Sequence, residues 1–456
     1  MSGMRRIAVA LLVATLGACA QTGPGPAPIS GTTLHWIDEP VLGGRIAVHE
    51  AGAGNGRAVL LVHGIGESGA RDFQEQIAWL RESFHVVAPD LPGFGESDKG
   101  NRLYSPANYA DVLKRVADRF FGRPFALVGH SMGAVVALRY AGTYPQDVEQ
   151  LVVMGAPGVL HRVSTTGQYL TALGMAFVPP ALDPSERIAS LARRLAAPFG
   201  RPGLDPDFVL GSPDLRQTVL DGEPSRIAAL ALVNEDLSDA LPRVLAPTLI
   251  LWGAKDDVAP LRNGRVLAWM LPHARLQTIE GVGHTPMTES PGRLRALLES
   301  FLASGLPPGP YAVGPIAEPR GEGVCRWESG RVFEGEYDRL TIEGCTRTLV
   351  RYARVRELSI VDSTVSIDDS VIGGGTLGML VRNSNVVVTG GRIEGGVAIR
   401  ADASSLDLAG VEIEGGEAAV AAEQPSSVVF SLCRVRSPRM QGVRHNVSWV
   451  TADHPL

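Results

Sequence analysis

Gly129-His130-Ser131-Met132-Gly133 lies between an apolar run, Phe125-Ala126-Leu127-Val128, and a helix-compatible stretch at 134–140. A strand that turns at once into a helix forces the residue at the turn into a strained conformation. Glycines on either side remove the Cβ atoms that would collide with neighbouring chain. The serine hydroxyl is then held at the end of a sheet, and the first amides of the helix face any negative charge that develops beside it. Such a turn demands parallel strands on either side of 125–128 and helices to cover them.

Those strands are legible. Val59-Leu60-Leu61-Val62 is a continuous apolar run, as expected of a strand covered on both faces, and it ends in His63-Gly64-Ile65-Gly66. His85-Val86-Val87-Ala88 runs into Pro89-Asp90-Leu91-Pro92-Gly93-Phe94-Gly95-Glu96-Ser97. Residues 151–154, 248–251 and 276–279 continue the series. From Arg45 onward, short β-rich runs alternate with helix-like stretches, the pattern of an α/β fold with a mainly parallel sheet.

With these pieces in order, the chain resembles the α/β-hydrolase superfamily, esterase and C–C-hydrolase branch, over roughly residues 34–304. The Ser131 turn, the His63-Gly64 turn and the Asp90-x-Pro92-Gly93-x-Gly95-x-Ser97 loop carry the resemblance. It implies a catalytic triad of Ser131, Asp256 and His284, taken from Trp252-Gly253-Ala254-Lys255-Asp256 and Gly281-Val282-Gly283-His284. Asp257 is the adjacent competitor for the acid. The resemblance also implies an oxyanion hole made by the backbone amides of Ile65 and Met132. A serine at 131 argues against dehalogenase and epoxide-hydrolase relatives, which carry aspartate there. Acyl transfer to water through such a triad needs no metal and no organic cofactor.

Between about 157 and 241, where relatives carry a helical cap, Pro224–Val233 and 186–195 have helix-compatible spacing, interrupted by several prolines. Met175, Phe177, Phe199 and Phe208 are candidate pocket walls, with ordinary cap packing as the alternative for each. His161 reads as an exposed loop residue.

The ends of the chain have different chemistry. Residues 1–18 have a positive start (Arg5, Arg6), a short apolar core (7–16) and small residues at Gly17 and Ala18, the three parts of an export signal. Leu16-Gly17-Ala18-Cys19 resembles the bacterial lipobox. That implies a lipid on Cys19 and, with Ala20 rather than Asp next, an outer-membrane address; an ordinary cleaved signal with an incidental cysteine is the alternative. Residues 19–32 read as a flexible tether, 33–304 as the hydrolase domain, and 305–323 as a Pro-rich linker.

Beyond the linker, at 324–456, the composition shifts to Val, Ile, Ser and Gly. Val365, Val386, Leu406 and Val428 are 21, 20 and 22 residues apart, and each is followed seven residues later by Ile372, Ile393, Ile413 or Val435. A near-constant period is the signature of a solenoid. Short alternating strands with Gly or Asp-Ser corners suit an all-β parallel β-helix and resemble the right-handed β-helix proteins; a β-sandwich is the competing reading. Leu340-Thr341-Ile342 and Leu358-Ser359-Ile360 read as earlier, less regular coils. Cys325 and Cys345 are 20 residues apart, about one coil, within reach of a disulfide. Cys433 is left as a buried thiol. Asp362, Asp368, Asp369, Asp402 and Asp407 read as structural corner acids, and the domain as a rigid spacer or a surface for a glycan or another envelope component.

The whole chain therefore reads as an α/β-hydrolase fold with a helical cap followed by a β-helix. Its function reads as an envelope-anchored serine hydrolase acting on a small-molecule acyl substrate, most simply a carboxylic ester. The alternatives are a C–C bond hydrolase of the meta-cleavage type and a non-catalytic binding protein working through the β-helix. A formal charge of −6 offers no nucleic-acid partner. For the anchor, Cys19→Ser is expected to move the protein from the membrane fraction to the soluble fraction; unchanged fractionation would argue against lipidation.

Overall fold

The computed structural model describes residues 29–164, 206–304 and 321–456. The expected export signal with Cys19, most of the expected tether, cap residues 165–205 with Met175, Phe177, Phe199 and the helix expected at 186–195, and linker residues 305–320 lie outside the described residues.

Eight strands form the first sheet, in the order β1-β2-β4-β3-β5-β6-β7-β8. They are β1 (Thr33–Asp38), β2 (Arg45–Ala51), β3 (Arg57–Val62), β4 (Phe84–Pro89), β5 (Phe125–His130), β6 (Val148–Met154), β7 (Thr248–Gly253) and β8 (Ala274–Ile279). Strands β3 to β8 coincide with the apolar runs and pair in parallel. Strands β1 and β2 add an antiparallel edge. No continuous apolar run marks β1, because one side of it is in solvent.

Alternation along the central strands feeds two cores. Leu60, Val62 and Leu127 point into the cluster covered by α2 (Pro106–Phe120) and α3 (Met132–Thr143). Val59, Leu61, Ala126 and Val128 point the other way, onto α1 (Gln74–Leu80) and the C-terminal helix of the domain at Pro291–Ser304. With every residue of β4, β5 and β7 buried, the sheet is a rigid floor whose strand ends can carry chemistry.

The described part of the cap holds α4 (Pro206–Gly211), α5 (Pro213–Leu220) and α6 (Pro224–Val233). Each starts at a proline, where the missing amide costs nothing because the first helical amides lack partners in any case. The expected helix at Pro224–Val233 is present. Phe208, a candidate pocket wall, is instead 69% exposed on α4. After the cap come α7 (Leu261–Met270), α8 (Pro286–Glu289) and α9 (Pro291–Ser304).

The second domain is a stack of parallel strands, β9 to β19 in chain order between Glu322 and Arg436, closed by one antiparallel strand, β20 (Gln441–Val450), on β19 (Ser426–Arg436). The periodic residues stack as the spacing predicts: Val365 on Val386, Val386 on Leu406, Leu406 on Val428. The second set does the same, Ile372 to Ile393 to Ile413 to Val435. The coils have a third face, however, and Leu340 and Leu358 belong to it, below Met379 and Ile399. They are thus earlier coils, but not the counterparts of Val365; that position is taken by Thr348. Cys325 and Cys345 are joined by a disulfide, with Cα atoms 6.5 Å apart. Cys433 is buried, and burial pushes its thiol up to about 12.

Glycine is not the general corner residue. One column of corners is Gly344, Asp362, Asn383 and Ala403, all with positive φ. The next residue in the last three is serine, and these serines form a buried ladder: the amide of Ser363 donates to Ser384 Oγ (3.0 Å), that of Ser384 to Ser404 Oγ (3.2 Å), and that of Ser404 to Ser426 Oγ (3.0 Å). Ser384→Ala removes the acceptor for the Ser363 amide, and leaving a buried donor unmatched costs about 1–3 kcal/mol. The expected result is a lower urea midpoint for the β-helix, and an unchanged midpoint would show the rung to be dispensable.

The β-helix is not held apart as a spacer. Ala409 and Leu432 belong to the same apolar cluster as Val266, Leu267 and Met270 of α7. Of the corner acids, Asp362 accepts from Asn383, and Asp402 accepts from the amides of Glu423 and Gln424. Asp368, Asp369 and Asp407 reach across to the hydrolase domain.

Candidate active site

Ser131 occupies the turn between β5 and α3 with φ 54° and ψ −123°. The residue cannot relax, because its amide donates to Met154 O (2.9 Å) on β6 and its carbonyl accepts from Ala134 N (3.0 Å) in the helix. A Cβ on Gly133 would overlap the Val62 carbonyl oxygen, and one on Gly129 the Gly133 carbonyl oxygen, so the close approach of β3, β5 and α3 requires both glycines.

The strand ends bring the other two residues to this hydroxyl. His284, after β8, lies with Nε2 3.0 Å from Ser131 Oγ and Nδ1 2.9 Å from Asp256 Oδ2, after β7. A carboxylate only accepts, so the Nδ1 proton is donated to Asp256 and Nε2 is left to accept from the serine. The amides of Val258 (3.0 Å) and Ala259 (2.8 Å) donate to the other oxygen, Asp256 Oδ1. Ser131, Asp256 and His284 are all buried, whereas Asp257 is exposed and outside this array. The arrangement can take a proton from Ser131 and stabilise the imidazolium that results.

The oxyanion-hole candidates sit at the same end. Met132 is the first residue of α3, where helical amides have no partner within the helix. Ile65 follows the His63-Gly64 turn. The Leu91 amide donates to His63 Nε2 (2.9 Å), so the ring proton is on Nδ1 and is donated to Gly64 O (2.7 Å). That carbonyl and the Ile65 N–H belong to one planar peptide, so fixing the first orients the second.

Two further residues hold His284, and the sequence patterns do not reveal them. The amides of Gly283 (2.7 Å) and Thr285 (2.9 Å) both donate to the carboxylate of Glu289. His130 Nε2 donates to the His284 carbonyl (2.8 Å), and its ring lies 4.9 Å from the His284 ring. The place of His130 inside the turn, one residue before Ser131, was the available signal. His161 is also not the exposed loop residue its sequence context suggests: it is half-buried against His445 of β20, and burial pulls it down to about 4.

Residues 57–291 match the family described as the alpha/beta hydrolase fold. The chain belongs to that family. An uncharacterised protein of Mycobacterium tuberculosis is 30% identical to this α/β hydrolase over 271 residues, 55% of this chain and 76% of its own. A 2-hydroxymuconate semialdehyde hydrolase of Pseudomonas putida is 30% identical over 281 residues, 57% of this chain and 92% of its own. Lipase 1 of Psychrobacter immobilis is 26% identical over 268 residues, 54% of this chain and 77% of its own. These matches span little more than half of this α/β hydrolase.

Burial, then the nearby His284, pulls His130 down from 6.5 to about 3. Between those values the unfolded chain binds the proton and the folded chain does not, so this contribution to stability is complete above about pH 6.5 and is lost as pH falls towards 3. The ring nitrogens of His130 are expected to show one neutral tautomer, protonated on Nε2, in NMR spectra from pH 5 to 8. A titration in that window would contradict the assignment.

Proposed function

We propose that this α/β hydrolase is a serine hydrolase that cleaves a carboxylic ester or a related acyl bond. The observation that carries the reading is the continuous hydrogen-bonded line from Ser131 through His284 to Asp256, closed by two amides on the far oxygen of the acid. As Ser131 Oγ attacks the substrate carbonyl, His284 takes its proton and Asp256 stabilises the imidazolium. The amides of Ile65 and Met132 receive the oxyanion, each such donor being worth roughly 2.7–4 kcal/mol. Collapse of the intermediate expels the alcohol, which takes the proton from His284 and leaves an acyl group on Ser131. Water, giving its proton to His284, then releases the acid and restores the serine.

A second reading is C–C bond hydrolysis of the meta-cleavage type, favoured by the relative named 2-hydroxymuconate semialdehyde hydrolase. Against it stand the export signal at 1–18 and the lipobox at Cys19, which suit an enzyme of the cell envelope better than one of intracellular ring catabolism. On that basis we read the protein as lipid-anchored to the envelope.

A fluorophosphonate probe is expected to label Ser131 in the purified protein, and Ser131→Ala or His284→Ala to lower turnover on the order of 10⁶-fold. An unlabelled protein beside a labelled control hydrolase would overturn the reading. A panel of esters, thioesters, lactones and ring-fission ketones separates the two chemistries, and turnover of the ketone alone would transfer the assignment to C–C hydrolysis.

A further inference from the structure

Helix α7 begins directly after the loop that holds the triad acid. Val258 and Ala259, whose amides bind Asp256, are followed by Pro260, the residue before the helix. Arg262, Arg265 and Trp269 are spaced by three and four residues along α7 and so share one face. All three end on the β-helix. The Arg262 guanidinium donates to both carboxylate oxygens of Asp407 (2.8 and 3.1 Å), to Thr389 Oγ1 (2.8 Å), and to the carbonyls of Val388 (3.2 Å) and Asp407 (3.3 Å). Arg265 donates to Asp368 (2.7 Å), and Trp269 Nε1 to Asp369 (2.6 Å).

Asp368, Thr389 and Ala409 are register partners, so α7 crosses three successive coils. At the crossing two of the three coil corners are glycine, the third being Asp369: a Cβ on Gly390 would overlap the Trp269 indole, and one on Gly410 would lie 3.1 Å from Val266 Cα. Both sides of the contact are therefore shaped to each other.

Asp407 has a second attachment. Ser164 Oγ donates to its Oδ1 (2.9 Å), and the amide of His161 donates to Ser431 Oγ (2.9 Å) one coil on. Residues 155–164 leave β6 beside the triad, where a Cβ on Gly155 would lie 3.2 Å from both the Asp256 carboxylate and the His284 ring. One carboxylate thus holds the helix that continues the acid loop and the chain that leaves the other side of the triad.

We propose that Asp407 is a positioning residue for the Asp256 loop, and that the coil stack is therefore a working part of the hydrolase. This rests on the serine-hydrolase reading above. The bidentate Arg262–Asp407 pair is only 11% and 22% exposed at its side chains, and removing the carboxylate leaves a poorly hydrated guanidinium without its partner. The start of α7 then loses its fixed point, and the Val258 and Ala259 amides drift from Asp256.

The test compares full-length Asp407→Asn and Arg262→Lys with Arg339→Gln, an exposed ladder residue paired with Glu357 away from α7, as control. For Asp407→Asn, kcat on a small ester is expected to fall by about 10- to 100-fold, the scale of a sub-ångström to 1 Å misplacement, with KM within about twofold. Arg262→Lys keeps the charge without the fork and should fall less, and it carries the test if Asp407→Asn does not fold. Hydrogen exchange at the Val258 and Ala259 amides should accelerate in Asp407→Asn, a readout that needs no activity. Unchanged kcat and unchanged exchange in folded Asp407→Asn, even with a lowered Tm, would overturn the proposal. A wild-type protein inert on every substrate, with exchange still accelerated in the variant, would overturn the hydrolase reading and support the mechanical coupling.

Discussion

The backbone of Ser131 is the constraint around which the first domain is arranged. A serine at φ 54° has no local reason to stay there; it is held by an amide bond to β6 and a carbonyl bond to α3. Those bonds exist only if β3, β5, β6 and α3 approach closely, which sets glycine at 129 and 133 and buries β5 throughout. The strain is thus maintained by the same packing that stabilises the fold, and its product is a hydroxyl presented at the strand ends.

Around that hydroxyl, each partner is fixed by at least two contacts from different elements. His284 is held through its ring by Asp256, through its flanking amides by Glu289 and through its carbonyl by His130. Asp256 is held by the amides of the loop entering α7, and α7 is in turn fastened to the β-helix through Arg262. The chain of support therefore runs from Ser131 to a domain far along the sequence. Burial and the neighbouring His284 ring keep His130 neutral, so it serves as a donor to the His284 carbonyl without adding a buried charge.

The second domain solves a different problem. Each coil is too short to bury its own apolar residues, so stability comes from stacking: Val365, Val386, Leu406 and Val428 in one column, Ile372, Ile393, Ile413 and Val435 in another. Corners turn the chain at positive φ, and the serine ladder satisfies the amides buried just after them. Helix α7 crosses this stack where two of the corners, Gly390 and Gly410, are glycine.

Local pattern determined a good deal of this protein. The glycines around Ser131, the apolar runs of β3 to β8 and the period of the coils each follow from sterics or burial acting over a few residues, so they are visible in the sequence alone. Ser131, Asp256 and His284 were singled out by the resemblance of the segments that follow these strands to the α/β-hydrolase pattern, and the fold brings their side chains within hydrogen-bond distance. The tertiary structure decided what depends on residues far apart in the chain: the antiparallel edge of β1 and β2, the third face of the coils, the roles of His130 and Glu289, and the docking of Asp407 on Arg262. An isolated aspartate or arginine carries no mark of its partner, since a hydrogen bond between residues 145 positions apart is selected by three-dimensional fit and leaves no local period to read.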